Sequence, residues 1–591
     1  MSEGPSQVEQ DRALITDAMG RGPLATLGAY VKLSGPGWLQ SAITLGGGSL
    51  AGALFLGILG GTSLLWLQLV AIVMGVIMLS AISYVTLSTG ERPFRSINRH
   101  INPVLGWGWI YGTIVANMIF CMPQFALCFT ALQKNLLPGV LNSPGWDGMM
   151  RAIAGQFVKG EVNDSAAAMT TKVFVSSIIL LAAGIAVVMN SRRGLAAKLF
   201  DWFLKGLVGI VVICFVGVVA LMASKGSLDF AAILSGFIPD LSQWNTPTGK
   251  IAALIATLPE NVQQFWTEKV VAQQRDVMIG AAATAVGINM TFLMPYSMLR
   301  RGWDRNFRGL SRFDLSTGMA IPYILVTSCV VIATASQFHA QTDEDFLSSD
   351  PATVQKSALY KGVAKTVRER MALDGQKDLT DEQLAATLAG FSKEERIVAS
   401  AVVQRDAFEL SKAISPLLGE QTARIAFGLG VFGMGFSTII ILMLINGFAF
   451  CEIADTPLSG APYVIGCIVA GVSGGSWWYF WQGDSKVYLA IVVSAFAIML
   501  LPIAYITFMM MMNSNRLLGD DRPKGFNAVL WNSLMGVSVL GAIVAAGSSM
   551  WNKMNDPTGG PVVITVVAMF FIAVITGFIH KATSSQDGER G

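Results

Sequence analysis

Apolar runs of about twenty residues recur along this chain, about twelve of them, with polar stretches between. That one feature decides the class of fold. A bilayer core about 30 Å thick takes about 20 apolar residues to cross as a helix, and in lipid only helices or closed barrels keep every backbone N–H and C=O paired. Runs of helical length therefore specify an all-α polytopic membrane protein whose first partner is the lipid bilayer. Composition agrees: of 591 residues, 53% are hydrophobic and 13% charged, against about 25% charged in globular domains. With 41 Lys and Arg against 38 Asp and Glu, the net charge of +3 offers no basic face to nucleic acid.

The runs lie at about 35–59, 61–87, 105–132, 172–190, 203–223, 277–299, 315–337, 424–450, 461–481, 487–512, 528–549 and 560–580. Lys and Arg concentrate in alternate short loops: Arg92, Arg95 and Arg99; Arg192, Arg193, Lys198 and Lys205; Arg300, Arg301, Arg305, Arg308 and Arg312; Arg516, Arg522 and Lys524. The short loops between them carry almost none, Lys486 after the ninth run and Lys553 after the eleventh. Cytoplasmic loops retain cations, so both termini are expected on the cytoplasmic side of the cell (inner) membrane. The first residues lack the apolar core of a cleavable signal, so insertion is expected to begin with the first run.

The expected organisation is a cytoplasmic tail over 1–34, helices one to seven over 35–337, an extracytoplasmic helical insertion over 338–422, helices eight to twelve over 423–581 and a short tail over 582–591. A second polar excursion, 224–276, reads as an interfacial stretch with Trp244, Pro247, Pro259 and Trp266. The insertion reads as a solvated cap with a structural or assembly role, a ligand-sensing domain being the sharper alternative. All six cysteines sit in or beside apolar runs and read as buried thiols, without a disulfide framework.

Chemistry is expected where apolar helices are interrupted, since a freed backbone group in hydrocarbon costs several kcal/mol unless it is buried in protein or faces a cavity. In the first run, Gly46, Gly47 and Gly48 with Ser49 stand about ten residues past the start, near midplane at 1.5 Å per residue. Consecutive glycines make unwinding cheap there; close packing of small residues is the plain alternative. In the sixth, Pro295 removes a donor and frees the Thr291 carbonyl; Thr291 and Met294 share a face, with Asn289 close by, and a kinked packing helix is the plain alternative. Two interruptions five runs apart fit transporters that bind substrate between discontinuous helices.

The pieces GPGWLQSAITLGGGS, TFLMPYS, FDLSTGMAIPYILVTS, FELSKAISPLLGEQTARIAFGLGVFGMGFSTI and LLPIAYITFMMMMNSNRLLGD together resemble, in order and spacing, the NRAMP family of divalent-metal transporters, as a divergent branch running from about residue 30 to 550. The resemblance implies the leucine-transporter-type fold, with two inverted five-helix repeats plus two extra helices and helices one and six unwound around the substrate. It also implies a site. The family's helix-one motif, D-P-G-N, falls on Gly46, Gly47, Gly48 and Ser49; the alanine, methionine and histidine of its helix-six motif fall on Thr291, Met294 and Tyr296; its helix-three acids fall near Pro123 and Ala126, with Gln124 between. Met294 and Thr291 are thus the candidate metal ligands, and Asn289, Tyr296 and Gln124 candidate pathway residues.

The departures at Gly46, Tyr296 and the helix-three positions remove a carboxylate or an imidazole, and that matters energetically. A dehydrated dication in a low-dielectric cavity needs compensating charge, whereas a hydrated one keeps its first shell, as Mg2+ does most tenaciously. The expected function is a secondary transporter moving a small inorganic cation such as Mg2+ or Mn2+ by alternating access. Proton coupling is not expected, because membrane relays use carboxylates or imidazoles; Glu260 is the one acid nominated as a gate. The rival cargo is an amino acid or other zwitterion, its carboxylate held at a half-helix N-terminus beginning at Ser49. A receptor or assembly protein is the third reading. No HExxH or paired intramembrane aspartate suggests an enzyme, and no cofactor is implied.

Overall fold

The computed structural model describes residues 6–157, 162–191, 195–376, 379–481, 500–554 and 560–588, and these are helical throughout, with no strand among them. Two short helices open the chain. α1 (Gln7–Arg21) starts from a capping box between Ser6 and Glu9, and α2 (Pro23–Leu33) packs back on it. α3 (Pro36–Thr44) and α4 (Gly47–Gly60) are the halves of the first span, bent by 53°. α5 (Trp66–Thr89) ends on Gly90, whose φ of +65° is the left-handed stop that glycine supplies without strain. α6 (Pro103–Ala131) begins at an Asn102 cap and carries Pro123 inside it; α7 (Asp164–Ser191) and α8 (Leu195–Ser224) follow.

The sixth span is also split, into α9 (Glu260–Ala285) and α10 (Ile288–Arg300). Here the structure corrects the sequence reading. The stretch Thr291–Pro295 winds continuously as helix, and the rupture falls upstream, where Val286 (φ −141°) and Gly287 (ψ 170°) are extended. Pro295 removes a single hydrogen bond while the turns on either side keep theirs. A glycine at the half-helix start gives up no side-chain packing. The polar excursion is corrected as well: α9 runs unbroken for 26 residues, about 39 Å at 1.5 Å per residue, so residues 260–276 belong to the same rod as the first half of the sixth span.

α11 (Ile321–Phe338) continues a π-helical turn, Leu315–Ala320. α12 (Glu420–Ile453) is the most enclosed helix of the bundle and packs against α3, α6, α8 and α13 (Ala461–Gly475). α14 (Leu500–Met512), α15 (Phe526–Met554) and α16 (Gly560–Gly588) complete the described chain. By length and apolarity, seven single helices among the described residues could cross a membrane, or eight with the bent α3–α4 pair. The expected ninth and tenth spans appear as shorter apolar helices, the twelfth shows a short apolar stretch, Val567–Ile579, within α16, and the start of the tenth, with Lys486, lies outside the described residues, as do Arg192 and Arg193. The arrangement is of the leucine-transporter type: a mostly buried bundle with two interrupted helices that meet.

Between α11 and α12 the chain forms five short helices, Pro351–Lys356, Tyr360–Leu373, Asp381–Gly390, Lys393–Ala401 and Ala407–Leu418. They close on their own core of Val354, Val363, Val367, Leu384, Leu388 and Val398, and dock on α9: Trp266 Nε1 donates to Glu395 Oε1 at 3.0 Å, and Lys269 pairs with Glu369.

Candidate functional site

The first interruption begins where α3 runs out of donors. Leu45 still gives its N–H to Ser41 O (2.9 Å), but Gly46 is extended (φ −94°, ψ 179°), so the last carbonyls of α3 face a gap. Helix resumes at Gly47, earlier than Ser49, so Gly47, Gly48 and Ser49 form the first turn of α4. Neutral groups stitch the gap. Gly47 N–H donates to Gln124 Oε1 of α6 at 3.0 Å; Ser49 Oγ donates to Thr44 O at 2.5 Å; Ser437 Oγ and Thr438 Oγ1 of α12 lie 2.9 and 3.1 Å from Ala42 O. Glycine is required at 46 by close approach, because a Cβ there would stand 2.8 Å from Thr438 Oγ1. Gly48 is exposed and Gly47 half-buried, while Gly46 and Ser49 are buried.

The second interruption meets the first through α3 and α10. Gln40 Nε2 donates to Met290 O at 3.2 Å, and Thr44 Oγ1 lies 3.5 Å from Met290 Sδ. The thioether at the helix-one break therefore belongs to Met290, one turn before Met294. Met294 is itself fully buried, its carbonyl accepting from Ser297 Oγ (2.8 Å). Thr291 is committed elsewhere: its hydroxyl donates to Ile288 O (2.5 Å) and accepts from Trp109 Nε1 (3.0 Å). Tyr296 is buried and stacked on Phe292, centroids 4.3 Å apart. Asn289 is nearly buried and its Oδ1 accepts from Met290 N–H (3.0 Å). The structure thus brings Gly46, Gly47, Ser49 and Gln124 together and turns the Thr291 side chain toward α6. Glu260, nominated as a gate, is exposed at the start of α9, the far end of that helix from the break.

A buried carboxylate at the start of α3 escaped the sequence reading. Asp314, fully buried, accepts from Gly37 N–H (2.6 Å), Gly35 N–H (3.1 Å) and Ser34 Oγ, while Lys205 Nζ donates to Ser34 O (2.8 Å). It caps the N-terminus of α3, where a negative charge is favoured, about 14 Å along the helix from Gly46. The sequence reading began the seventh span at 315, one residue too late to see it. Met290 and the Ser437–Thr438 pair were also missed. Their signals were a second methionine four residues before Met294 and two adjacent hydroxyls inside an apolar run. Among the described residues, no group of three or more His, Cys, Asp or Glu side chains could hold a metal ion.

The arrangement defines a class: a polytopic helical membrane protein in which two ruptured helices meet at a deep, uncharged junction. Within that class, residues 385–547, which lie C-terminal to both interruptions, match the family model for natural resistance-associated macrophage protein-like (Nramp) proteins; over that segment the chain is similar to them. No curated protein matches the chain. Among solved structures it is similar to a mutant of the Eremococcus coleocola manganese transporter (13% identity, 95% of this chain and 96% of that one, TM-score 0.47). It is similar also to the same transporter in complex with an aromatic bis-isothiourea substituted compound (13%, 96% and 96%, 0.43) and to MhsT in complex with L-phenylalanine (12%, 87% and 98%, 0.45).

Proposed function

We propose that this protein is a secondary transporter that carries a divalent metal cation, still hydrated, by alternating access around the α3–α4 and α9–α10 interruptions, without moving protons in exchange. The observation that carries the proposal is the way the first break is closed: an amide oxygen, four hydroxyls and a thioether stand at it, and the buried Asp314 sits at the other end of α3, about 14 Å along the helix. A bare dication gains too little from neutral dipoles to offset its desolvation, while a hydrated Mg2+ or Mn2+ brings its own shell. One thioether discriminates poorly among transition metals. The NRAMP-related segment supports a metal cargo over other solutes.

The test is flux. In proteoliposomes, Mg2+ or Mn2+ is expected to enter down its gradient with no change in lumenal pH; tight proton stoichiometry would overturn the uncoupled mechanism. A second cargo, a zwitterion, is favoured by the exposed Gly48 in the first turn of α4, where amides and the helix dipole attract a carboxylate. A melting-temperature screen separates the two, since bound ligand stabilises the fold: protection by amino acids alone would transfer the site to that cargo.

A further inference from the structure

Arg300, the last residue of α10, is a cation without an anion. Its guanidinium donates to Asn190 O at the end of α7 and stands 5.4 Å from the ring centroid of Tyr463 and 5.8 Å from that of Phe448. Its Nη1 is buried with no hydrogen-bond partner. The neighbouring Arg301 pairs with Asp201 at 2.9 Å, whereas no carboxylate among the described residues pairs with Arg300. Aromatic faces answer only part of a guanidinium's charge, and a buried charge left unpaired is costly. An apolar groove opens beside it. The groove holds about 490 Å3 between α7 and α13 and reaches in to the buried Met443 of α12. Leu181, Ile185 and Val188 of α7 and Ile468 of α13 line it and are exposed. From Leu180 to Met189 it follows α7 for about 13 Å, stopping one residue short of Asn190. Tyr463 belongs to both features: its ring lines the groove, and its hydroxyl accepts from Asn190 Nδ2 at 3.4 Å. Gly184 leaves the groove deep at its middle, since a Cβ there would meet nothing within 4 Å.

We infer that the α7–α13 groove and Arg300 form a binding site for one anionic phospholipid of the surrounding bilayer, an acyl chain in the groove and the phosphate on the guanidinium. The two halves of the site fit one molecule. A lipid supplies the anion that Arg300 lacks and the chain that an aliphatic groove takes from the membrane, whereas a free phosphate would leave the groove empty and a zwitterionic lipid brings its own ammonium to the phosphate. Guanidinium forks match phosphate oxygens, and basic pockets between membrane helices bind anionic headgroups on the side where Lys and Arg gather. Arg300 lies on that side, in the sequence run that continues with Arg301, Arg305 and Arg308. Because Arg300 ends α10, the second half of the interrupted sixth span, an occupied site ties that half-helix to α7 and α13, and lipid composition acquires a handle on it. The site is separate from the cargo proposed above and does not depend on it.

The test is lipid binding by the purified full chain, with no transport required. Melting temperature, and lipid retained in native mass spectrometry, are measured in detergent micelles with added phosphatidylglycerol, phosphatidylcholine or inorganic phosphate at equal ionic strength. The unaltered chain is expected to show a saturable rise in melting temperature and one retained molecule with phosphatidylglycerol, a smaller rise with phosphatidylcholine and none with inorganic phosphate. Arg300→Gln, which keeps a donor for Asn190 O, should lose the preference for the anionic lipid. Gly184→Leu should lose retention of both lipids; its side chain enters open space and leucine suits a helix better than glycine, so its melting temperature without lipid should not fall. Arg305→Gln, which removes an exposed cation from the same run, should keep the full response. Equal responses to the two lipids in the unaltered chain, a full response to inorganic phosphate, an undiminished preference in both Arg300→Gln and Gly184→Leu, or an equal loss in Arg305→Gln would each overturn the proposal.

Discussion

At the scale of single residues, the junction trades carboxylates for close contact. Gly46 is where the family resemblance would place an aspartate, and a side chain there would meet Thr438 Oγ1 at 2.8 Å. Gly46→Ala is therefore expected to lower the melting temperature, and Thr438→Ala to restore part of the loss in the double variant; full additivity in that cycle would show that the two residues do not touch. Gln124 is the better place to add charge. Gln124→Glu keeps an acceptor for Gly47 N–H with no added bulk, and should raise affinity for Mn2+ in calorimetric titrations. Gln124→Leu leaves that amide unpaired, at a cost of about 1–3 kcal/mol, and should appear as a lower midpoint in chemical unfolding.

At the scale of elements, α3 is a nine-residue lever fixed at both ends. Its start is held by Asp314 through Ser34, Gly35 and Gly37, and its end by Ser437 and Thr438 at Ala42 O. Asp314→Asn removes the charge and one acceptor, and hydrogen bonds to charged groups contribute about 1.5–3 kcal/mol. Amides of residues 34–40 should then exchange hydrogen faster while α12 stays protected; unchanged exchange there would deny Asp314 that role. α4 is tied at its far end by His339, whose Nδ1 lies 2.9 Å from Ile58 O and whose ring packs on Gly61 (φ +59°). Burial chiefly, with Lys250 adding, holds this imidazole below its ordinary value against the pull of the Ile58 carbonyl. The folded chain thus binds the proton less readily than the unfolded one. The stability that neutral His339 supplies is whole above about pH 6.5 and lost as pH falls through the lowered folded value. Between about pH 7 and about pH 5 the melting temperature should fall more steeply for the unaltered chain than for His339→Gln.

At the scale of the whole molecule, the 338–422 insertion is joined to the bundle through α9, the first half of the interrupted sixth span. Glu395 accepts from Trp266 Nε1 and lies 3.5 Å from Arg370 Nε, with both partners of that ion pair almost fully buried. Removing one member of a buried pair costs about 3–5 kcal/mol, because the other charge stays behind. Glu395→Ala should therefore lower the melting temperature well beyond an exposed substitution such as Glu382→Ala, and flux should fall with it if α9 must stay docked to carry the break.

The twelve apolar runs determined a helical membrane bundle, and the glycine run determined that the first helix breaks, because lipid tolerates no other spanning form and consecutive glycines resist helix least. Where the sixth helix breaks was decided by tertiary structure. Pro295 is the louder local signal, but one missing hydrogen bond is cheaper than an open helix end, and the rupture settled at Gly287. That the glycine run carries no ionisable side chain was legible in the sequence as well, since residue identities can be read directly. Which groups surround the break could not be read: Gln124, Met290, Ser437 and Thr438 come from three helices far apart along the chain, and only packing brings their oxygens and sulfur to one gap.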